Sequence, residues 1–273
     1  MERTALLTLV SRLPMAARRD SMPVPMKPEY ARQYESLEQF HWWFRVRRII
    51  LKGLLERHAG WKSGLRVIEI GTGPGENLQA LYPSNVTLKG VEPDASNAEL
   101  AAARSGVPVF VGTVEQLPPE IAREKPDVIC LFDVLEHIQD DDGALDILRD
   151  WLVSGGRLAL SVPAYAWMWG QQDVVNMHYR RYTRRGLCRK LKQHGFTVVR
   201  ATYFNSILFP FIALFRLLAK LPPWRNRPAH SDFDYSAGPL DRLLYGLFRL
   251  EWPLLKYVNL PFGASCFVLA RKL

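Results

Sequence analysis

The chain has 273 residues, of which 48% are hydrophobic, and a formal net charge of +9 at pH 7. A chain of this size and composition can bury its own core, which excludes a disordered or fibrous protein and indicates one large α/β domain with additions. Its cysteines, Cys130, Cys188 and Cys266, lie far apart without a C-x-x-C pair. This spacing argues against a disulfide framework and a structural zinc site, so we expect a cytoplasmic protein.

The charge is unevenly distributed along the chain. Residues 65–150 hold 16 Asp and Glu against 6 Lys and Arg, a net of −10, so the remainder must carry +19 to give the total of +9. An acidic core with basic flanks favours contact between the flanks and an anionic substrate or membrane surface. Ordinary solubility is the alternative explanation.

The N-terminal segment, residues 1–39, is expected to form a partly flexible leader. Its apolar run, Ala5–Val10, is short, and Glu2 weakens the basic start that a secretory signal would carry. From Phe40 to His58, apolar residues at helical spacing with arginines between them predict a helix laid on the core. The most apolar uncharged run, residues 201–215, has 15 residues, fewer than the roughly 20 that span a bilayer.

Strand-like and helix-like stretches then alternate. Such alternation predicts parallel strands joined by right-handed crossovers, with helices on both faces of one doubly wound sheet. The predicted strands of this region are Arg66–Ile70, Val86–Val91, Val107–Val111, Val128–Phe132 and Arg157–Val162.

After Pro163 the pattern changes. A helix is predicted from a Thr183 cap to Gly195, then a strand at Thr197–Thr202 and a last strand in "SCFVLAR". The domain boundaries expected are a core of residues 40–202 and 263–273 and a helical insertion of residues 203–262. The insertion would serve as a substrate cap or membrane contact; the alternative is that its helices pack on the sheet or form a dimer interface. Within the insertion we predict helices at 207–221 and 240–250, joined by a loop. The second helix has one apolar face, made of Leu240, Leu243, Leu244, Leu247 and Phe248.

The stretch "VIEIGTGPGENL" places a glycine turn between a strand and a helix. Glycine lacks a Cβ, so this turn lets a ligand approach the backbone. The acidic Glu69 at the strand end would repel a pyrophosphate but would suit a cationic amine such as the one in S-adenosylmethionine. Glu92 ends the next strand, where a carboxylate can bind the hydroxyls of a ribose, and its alternative role is that of a helix cap.

Together with "PDVICLFDVLEHIQD" and "LVSGGRLALSVPAY", these motifs resemble the class I S-adenosylmethionine-dependent methyltransferase family over about residues 66–164. The bacterial branch with "HWWFRVRR", "HYRRYTRRGL" and "LPFGASCFVLARK" is the most similar. The resemblance implies a Rossmann-like, seven-stranded sheet with the last strand antiparallel, S-adenosylmethionine as cofactor and S-adenosylhomocysteine as product.

The resemblance also implies which residues bind the cofactor. The glycine loop would cradle the amino-acid and ribose parts, and Phe132 would line the methionine part. The sequence has Thr113 where the family commonly places an Asp for the adenine amino group, so Thr113 or the Val114 backbone would take that contact. The whole implied set is Glu69, Gly71, Thr72, Gly73, Gly75, Glu92, Thr113, Val114 and Phe132.

Methyl transfer requires an aligned acceptor and, for a hydroxyl, a base. His137 in "DVLEH" and His178 in "MHYRRYT" are the candidates, with Asp133 beside the first. For His137 the alternative is a structural role, in which the imidazole caps the local turn or packs under the following helix. Asp133 and Glu136 could bind a metal with His137, but adjacent polar residues rarely all face one way, so we predict no metal site.

The acceptor is expected to contact the aromatic and basic segment around His178. Residues 180–192 include seven Lys and Arg and no acid, which suits an anionic group, although a solvated basic helix face is the alternative. With the apolar insertion, this favours a small, amphipathic or anionic acceptor, such as a lipid- or glycan-linked one. The acceptor-binding residues predicted are Trp167, Tyr179, Arg180 and Arg181.

The sequence therefore predicts a cytoplasmic methyltransferase (EC 2.1.1.-), with peripheral contact at the inner membrane face as an extension. The rival functions are a nucleic-acid methyltransferase, a non-catalytic cofactor-binding protein of the same fold and an NAD oxidoreductase. The chain has neither an N-P-P-Y-like tetrapeptide after the fourth strand nor a Pro-Cys nucleophile, which argues against a nucleic-acid partner. The oligomeric state stays open.

Overall fold

The computed structural model describes residues 38–221 and 238–273. Its centre is one seven-stranded sheet with the strand order β3-β2-β1-β4-β5-β7-β6. The strands are β1 (Arg66–Ile70), β2 (Thr87–Glu92), β3 (Val109–Val111), β4 (Val128–Phe132), β5 (Arg157–Pro163), β6 (Phe196–Phe204) and β7 (Ser265–Lys272).

The first five strands run parallel, which confirms the predicted crossovers. β1 lies in the middle of this part and pairs with β2 on one side and β4 on the other. Parallel strands bring their carboxyl ends to the same edge of the sheet. The segments that follow β1, β2, β4 and β5 therefore meet at one edge.

The last strand, β7, is antiparallel and lies between β5 and β6. Its antiparallel direction confirms what the family resemblance implied. The pairing between β6 and β7 shifts register between Val198 and Arg200, which marks an irregularity in β6. β6 is longer than the predicted strand by one residue at its start and two at its end.

Helices cover both faces of the sheet. Asp94 caps α3 by accepting from the Asn97 N–H at 2.9 Å, and Thr183 caps α7 as predicted, accepting from the Gly186 N–H at 3.0 Å. The helices are α1 (Trp42–His58), α2 (Glu76–Ala80), α3 (Ala95–Ser105), α4 (Pro119–Ala122), α5 (Asp141–Trp151), α6 (Gln171–Val175), α7 (Arg184–Gln193), α8 (Phe209–Leu218), α9 (Gly238–Arg249) and α10 (Glu251–Leu255).

The core has two layers, one on each face of the sheet. Along β4, Ile129 and Leu131 pack into the layer beneath α5 and α7, whereas Cys130 and Phe132 pack into the layer beneath α1. Successive side chains of a strand point to opposite faces, so a strand that is buried on both sides is apolar throughout. This explains why β4 appears in the sequence as an unbroken apolar run.

The insertion between β6 and β7 contains α8, α9 and α10. Its predicted apolar face on α9 packs only along one edge: Phe248 is fully buried, but Leu240 and Leu243 are 55% and 57% exposed. Tyr245, which lies on the buried side of the helix, packs next to Phe248 against the α1 layer. The rest of the apolar stripe therefore faces outward.

Two other predicted segments lie mostly outside the described residues. These are the leader, of which residues 38 and 39 are described, and the loop that joins the insertion helices. Within the described ranges, none of the helices has the length and apolar character needed to cross a membrane.

Candidate functional site

The glycine turn follows β1 at the carboxyl edge of the sheet. Gly71 has φ +73, and its N–H donates to the Val91 carbonyl at 2.8 Å, which joins the turn to β2. Gly75 has φ +94, and a Cβ there would lie 2.8 Å from the Cα of Ala101 on α3. The first glycine thus permits the left-handed turn, and the last lets α2 approach α3.

Glu69 lies on β1 just before the turn and is fully buried. Its carboxylate accepts hydrogen bonds from Asn77 Nδ2 at 2.9 Å and from the Tyr82 hydroxyl at 2.5 Å. Burial raises the pKa of Glu69 to about 7, although both hydrogen bonds and Arg47 act in the opposite direction. A carboxylate in this position gains most from a cationic partner, because it has little water around it.

Glu92 ends β2, and its side chain is 6% exposed. One carboxylate oxygen accepts from the Gly73 N–H at 2.9 Å and the other from the Asp94 N–H at 3.2 Å. Glu92 therefore fixes the second glycine of the turn. Both the turn and this carboxylate lie at the same edge of the sheet, as the ribose-binding prediction requires.

The remaining predicted cofactor residues surround these two carboxylates. Thr72 is buried within the turn, and Phe132 ends β4 and is also buried. Thr113 is in the loop after β3, where its hydroxyl accepts from the Gln116 N–H at 3.1 Å, and Val114 beside it is buried. Their roles in cofactor binding stay predictions.

Asp133 follows β4 directly and has φ +59, a left-handed conformation that is uncommon for a residue with a side chain. Its carboxylate lies 2.6 Å from the guanidinium of Arg47, which is 5% exposed on α1. Its N–H donates to the Ser161 carbonyl at 2.8 Å, so both the backbone and the side chain are held. Strained residues that neighbours fix in this way are concentrated at functional sites.

His137 and His178 are neighbours, with ring centroids 4.6 Å apart in an edge-to-face arrangement. His137 follows β4 in a short 3-10 helix, Leu135–His137, and the residue as a whole is exposed. Desolvation of the ring, and to a lesser extent the nearby His178, lower the pKa of His137 to about 4. The structure thus brings together the two histidines predicted as alternative bases.

His178 is oriented by Asp173, a residue that sequence reasoning missed. The Nδ1 of His178 lies 2.9 Å from a carboxylate oxygen of Asp173, and Arg181 contacts the same oxygen at 2.7 Å. Burial alone would raise the pKa of Asp173, but these hydrogen bonds lower it to about 2. The Nε2 of His178 is therefore the nitrogen left to face the cleft.

The predicted acceptor residues fall into two groups. Trp167 and Tyr179 are each 43% exposed; Tyr179 directly follows His178 in the chain, and Trp167 packs against Tyr165 and Phe209. Arg180 pairs with Asp141, and Arg181 pairs with Asp173. Both arginines thus stabilise the protein itself, and their contact with an acceptor stays a prediction.

Residues 18–201, about two thirds of the chain, match the sequence profile of the methyltransferase domain family. The chain belongs to that family. Together with the seven-stranded sheet and its antiparallel last strand, this makes the protein a class I S-adenosylmethionine-dependent methyltransferase.

Curated relatives agree with this assignment. The methyltransferase is 32% identical over 175 residues to a ubiquinone biosynthesis O-methyltransferase of Rhodopseudomonas palustris (strain HaA2), covering 58% of this chain and 68% of the relative. It is 29% identical over 122 residues to one from Bradyrhizobium sp. (strain ORS 278), covering 43% of this chain and 47% of that relative. The chain thus spans about half the length of the latter.

A solved structure also shares the fold. The methyltransferase matches the N-methyltransferase NodS from Bradyrhizobium japonicum WM9, solved with S-adenosyl-l-homocysteine, at a TM-score of 0.52 and 13% identity. The match covers 87% of this chain and 90% of that one. At an identity this low, the match shows a shared fold and nothing about activity.

The described residues fit S-adenosylmethionine. The glycine turn leaves the backbone bare, and Gly73, with φ +52, adopts a left-handed conformation that side chains rarely take. Glu69 and Glu92 are both buried carboxyl groups at the edge where the turn lies. Their predicted contacts, Glu69 with the α-amino group and Glu92 with the ribose, stay predictions.

Three residues at this site were missed from the sequence. Arg47 sits on α1 one turn before Ile50 and Leu51, both fully buried, so its helical position marks it as inward-facing. Glu38 lies in the segment that was expected to be a leader, and burial raises its pKa to about 7. Asp173 gave no signal, because nothing in the sequence distinguishes an aspartate that orients a histidine from one on the surface.

Proposed function

We propose that the methyltransferase transfers its methyl group to a hydroxyl oxygen of a small, amphipathic acceptor. The observation that carries this proposal is the pair of neighbouring imidazoles, His137 and His178. They lie near the carboxyl end of β4, at the edge that carries the residues predicted to bind S-adenosylmethionine. A hydroxyl must lose its proton as it receives the methyl group, and an imidazole beside the acceptor is a side chain that can accept it. The relatives' name, O-methyltransferase, supports an oxygen acceptor.

The reaction is an in-line displacement. The bond between the methyl carbon and sulfur breaks while the bond to the acceptor oxygen forms, and S-adenosylhomocysteine leaves. The acceptor proton departs at the edge where the imidazoles stand. Asp173 and Arg181 keep the His178 ring in one orientation, so the acceptor meets a preformed surface.

Aromatic side chains next to this edge favour an acceptor with a planar ring. Tyr165 stacks on Tyr203 with centroids 5.2 Å apart and lies 5.8 Å from Trp167, and Phe209 of α8 continues the cluster. These rings lead from the end of β5 towards the insertion. An acceptor with an aromatic head and an apolar tail would match this path.

The proposal is tested with catechols that carry alkyl tails of increasing length. Purified protein is incubated with methyl-labelled donor, and mass spectrometry locates the new methyl group. We expect a phenolic methyl ether and a kcat/KM that rises with tail length. His178→Gln should reduce transfer by about 100-fold or more, whereas His194→Gln, on the far side of α7, should leave it unchanged. Methylation restricted to amine acceptors would contradict the proposal.

We also propose that the insertion rests on an anionic membrane surface, from which such an acceptor would enter. On α8, Phe211, Leu214 and Phe215 are 71%, 55% and 56% exposed. Further along the insertion, Leu243 on α9 and Leu250 directly after α9 are 57% and 60% exposed. Apolar side chains on a chain whose flanks are basic suit an interface with anionic lipid.

Sedimentation with phosphatidylglycerol vesicles tests this contact. The double variant Phe211→Ser, Phe215→Ser should lose most of the binding, since each ring contributes apolar area to the contact. Val199→Ser removes a side chain that is 47% exposed on β6 and should bind like the wild type. If the double variant instead converts a dimer to a monomer and vesicle binding is unchanged, the surface is a subunit interface and the proposal fails.

A further inference from the structure

One cluster at the cleft has the composition of a metal site. The side chains of Glu136, His137 and His178 each offer a ligand atom, and these atoms all lie within 4.8 Å of one another. Glu136 and His137 come from the segment after β4, and His178 comes from the loop before α7. The fold therefore brings them together from distant parts of the chain.

Glu136 has no other evident function. It is fully buried, and neither of its carboxylate oxygens has a hydrogen-bond partner in the part of the chain that the structure describes. Arg47 pairs with Asp133 and Arg181 with Asp173, although the charges of both guanidinium groups also act on Glu136. Buried carboxylates without partners are strongly disfavoured, so such a group either stays neutral or meets a cation.

Both histidines are held as metal-binding histidines usually are. His178 uses Nδ1 to contact the Asp173 carboxylate at 2.9 Å, and His137 hydrogen-bonds to the backbone of Asn176. In metal sites, the nitrogen that does not bind the ion typically donates to a carboxylate or a carbonyl, which fixes the ring. Asp173 is itself fixed, because it accepts from the Gly170 N–H at 2.8 Å. Each ring therefore has one nitrogen anchored and one free.

We propose that Glu136, His137 and His178 bind one divalent transition-metal ion at the acceptor side of the cleft. Two imidazole nitrogens and one carboxylate oxygen suit Zn²⁺, Co²⁺, Mn²⁺ or Fe²⁺, and they leave coordination positions open. Ligand atoms around such an ion are about 3.3 Å apart in tetrahedral geometry. The carboxylate of Glu136, which no hydrogen bond holds, can swing inward to close the remaining gap.

The ion would act on the acceptor of the proposed function, on which this part of the inference rests. A hydroxyl bound at an open position has a lowered pKa and releases its proton to solvent, and its oxygen then attacks the methyl carbon. His137 and His178 would in that case act as ligands, and the ion would do the work predicted for a base. The donor still supplies the methyl group, and no oxidation or reduction takes place.

Cobalt titration tests the site without relying on activity. Protein stripped with a chelator is titrated with Co²⁺, and binding is followed by visible absorption and by calorimetry. We expect one ion per chain with the absorption bands of a low-coordinate nitrogen and oxygen site. Glu136→Gln and His178→Ala should each weaken binding by about 100-fold. Their affinity for S-adenosylhomocysteine should match the wild type, which shows that they fold.

His194→Ala is the matched control. His194 also lies beside two carboxylates, with nitrogens 2.9 Å from Asp146 and 2.8 Å from Asp142, but it belongs to a surface cluster. Its removal should leave Co²⁺ binding unchanged. Absence of saturable binding, or equal binding by Glu136→Gln, would overturn the metal inference.

Activity then separates this inference from the proposed function. If stripped protein methylates a catechol as fast as protein reloaded with Zn²⁺, the inferred role of the ion in the reaction is wrong and the proposed function stands. If Co²⁺ binds as expected but no hydroxyl acceptor is methylated, the site stands and the proposed function fails.

Discussion

Binding of the donor should be coupled to ionisation of Glu69. Burial raises the pKa of this carboxyl from 4.5 to about 7. A rise of this size means that the ionised form costs about 3 kcal/mol more in the protein than in water. The cationic amine of the donor repays this cost only when the carboxyl is ionised, so the donor should select that form.

The coupling has a calculable size. With a pKa near 7, about one tenth of the molecules carry an ionised Glu69 at about pH 6 and about three quarters at about pH 7.5. The Kd for S-adenosylhomocysteine should therefore fall about eightfold over this range. Calorimetric titration at several pH values measures it.

Three variants identify the group responsible. Glu69→Gln should bind more weakly at about pH 7.5, by about tenfold or more, and should lose the pH dependence, because an amide does not ionise there. Tyr82→Phe removes a hydrogen bond that stabilises the ionised form, so the midpoint should move to higher pH. Glu99→Gln, exposed on α3, is the control and should behave like the wild type.

The ligand's own amine titrates identically with every variant, so the difference between proteins isolates Glu69. A wild-type Kd that is flat across this range, or an equal pH dependence in Glu69→Gln, would refute the reasoning.

Three other predictions concern stability, each measured by urea unfolding. Gly75→Ala should cost about 2–3 kcal/mol, because it combines a left-handed backbone with a Cβ only 2.8 Å from the Cα of Ala101; a cost below about 1 kcal/mol would contradict this. Burial raises the pKa of Glu251 from 4.5 to about 7. The free energy of unfolding should therefore fall by up to about 3 kcal/mol as pH rises from the ordinary pKa through the raised one, and Glu251→Gln should lessen this fall. Parallel pH profiles of the variant and the wild type would contradict the prediction. Desolvation lowers the pKa of His194, but hydrogen bonds to two α5 carboxylates outweigh this effect, so the pKa is raised overall. The contribution of His194 to the free energy of unfolding, at most about 1 kcal/mol, should therefore be present below about pH 6.5 and disappear as pH rises through the raised pKa. His194→Gln should flatten that profile, and a profile unchanged from the wild type would contradict the prediction.

The strands could be predicted because their physical signal is local. The predicted bounds of β1 and β4 agree with the structure, and the others differ by one or two residues at their ends. Strands buried on both faces need apolar side chains at every position, so a run of β-branched residues between glycine or proline turns is sufficient. The antiparallel direction of β7 came from the family resemblance, and its place between β5 and β6 was not predicted, since periodicity does not reveal which neighbour a strand pairs with.

The insertion shows the limit of this reasoning. The apolar face predicted for α9 exists, but only the side that carries Leu244 and Phe248 packs inward, while Leu240 and Leu243 stay exposed. A wide apolar stripe indicates that something covers it, and it does not indicate what. The apolar pattern of α9 could therefore be predicted, whereas the side of the helix that is buried depends on where α1 lies.

The site shows a similar division. Glu69, Glu92 and the glycine turn carry a spacing that points to a ligand, and they do lie at one edge of the sheet. Arg47 lies 2.6 Å from Asp133, which is distant from it in the sequence, and Asp173 lies 2.9 Å from His178, five residues further along the chain. Contacts of this kind leave no periodic trace, which is why the residues that orient the site were the ones missed.

The placement of β7 affects how the chain assembles during synthesis. β7 fills the gap between β5 and β6, yet the ribosome makes it after β6 and after the whole insertion. Until β7 emerges, β5 has an open edge and β6 has no strand to join, so the nascent chain exposes unpaired backbone. A chaperone that shields this half-built sheet would have its greatest effect in the interval between translation of Phe204 and of Ser265.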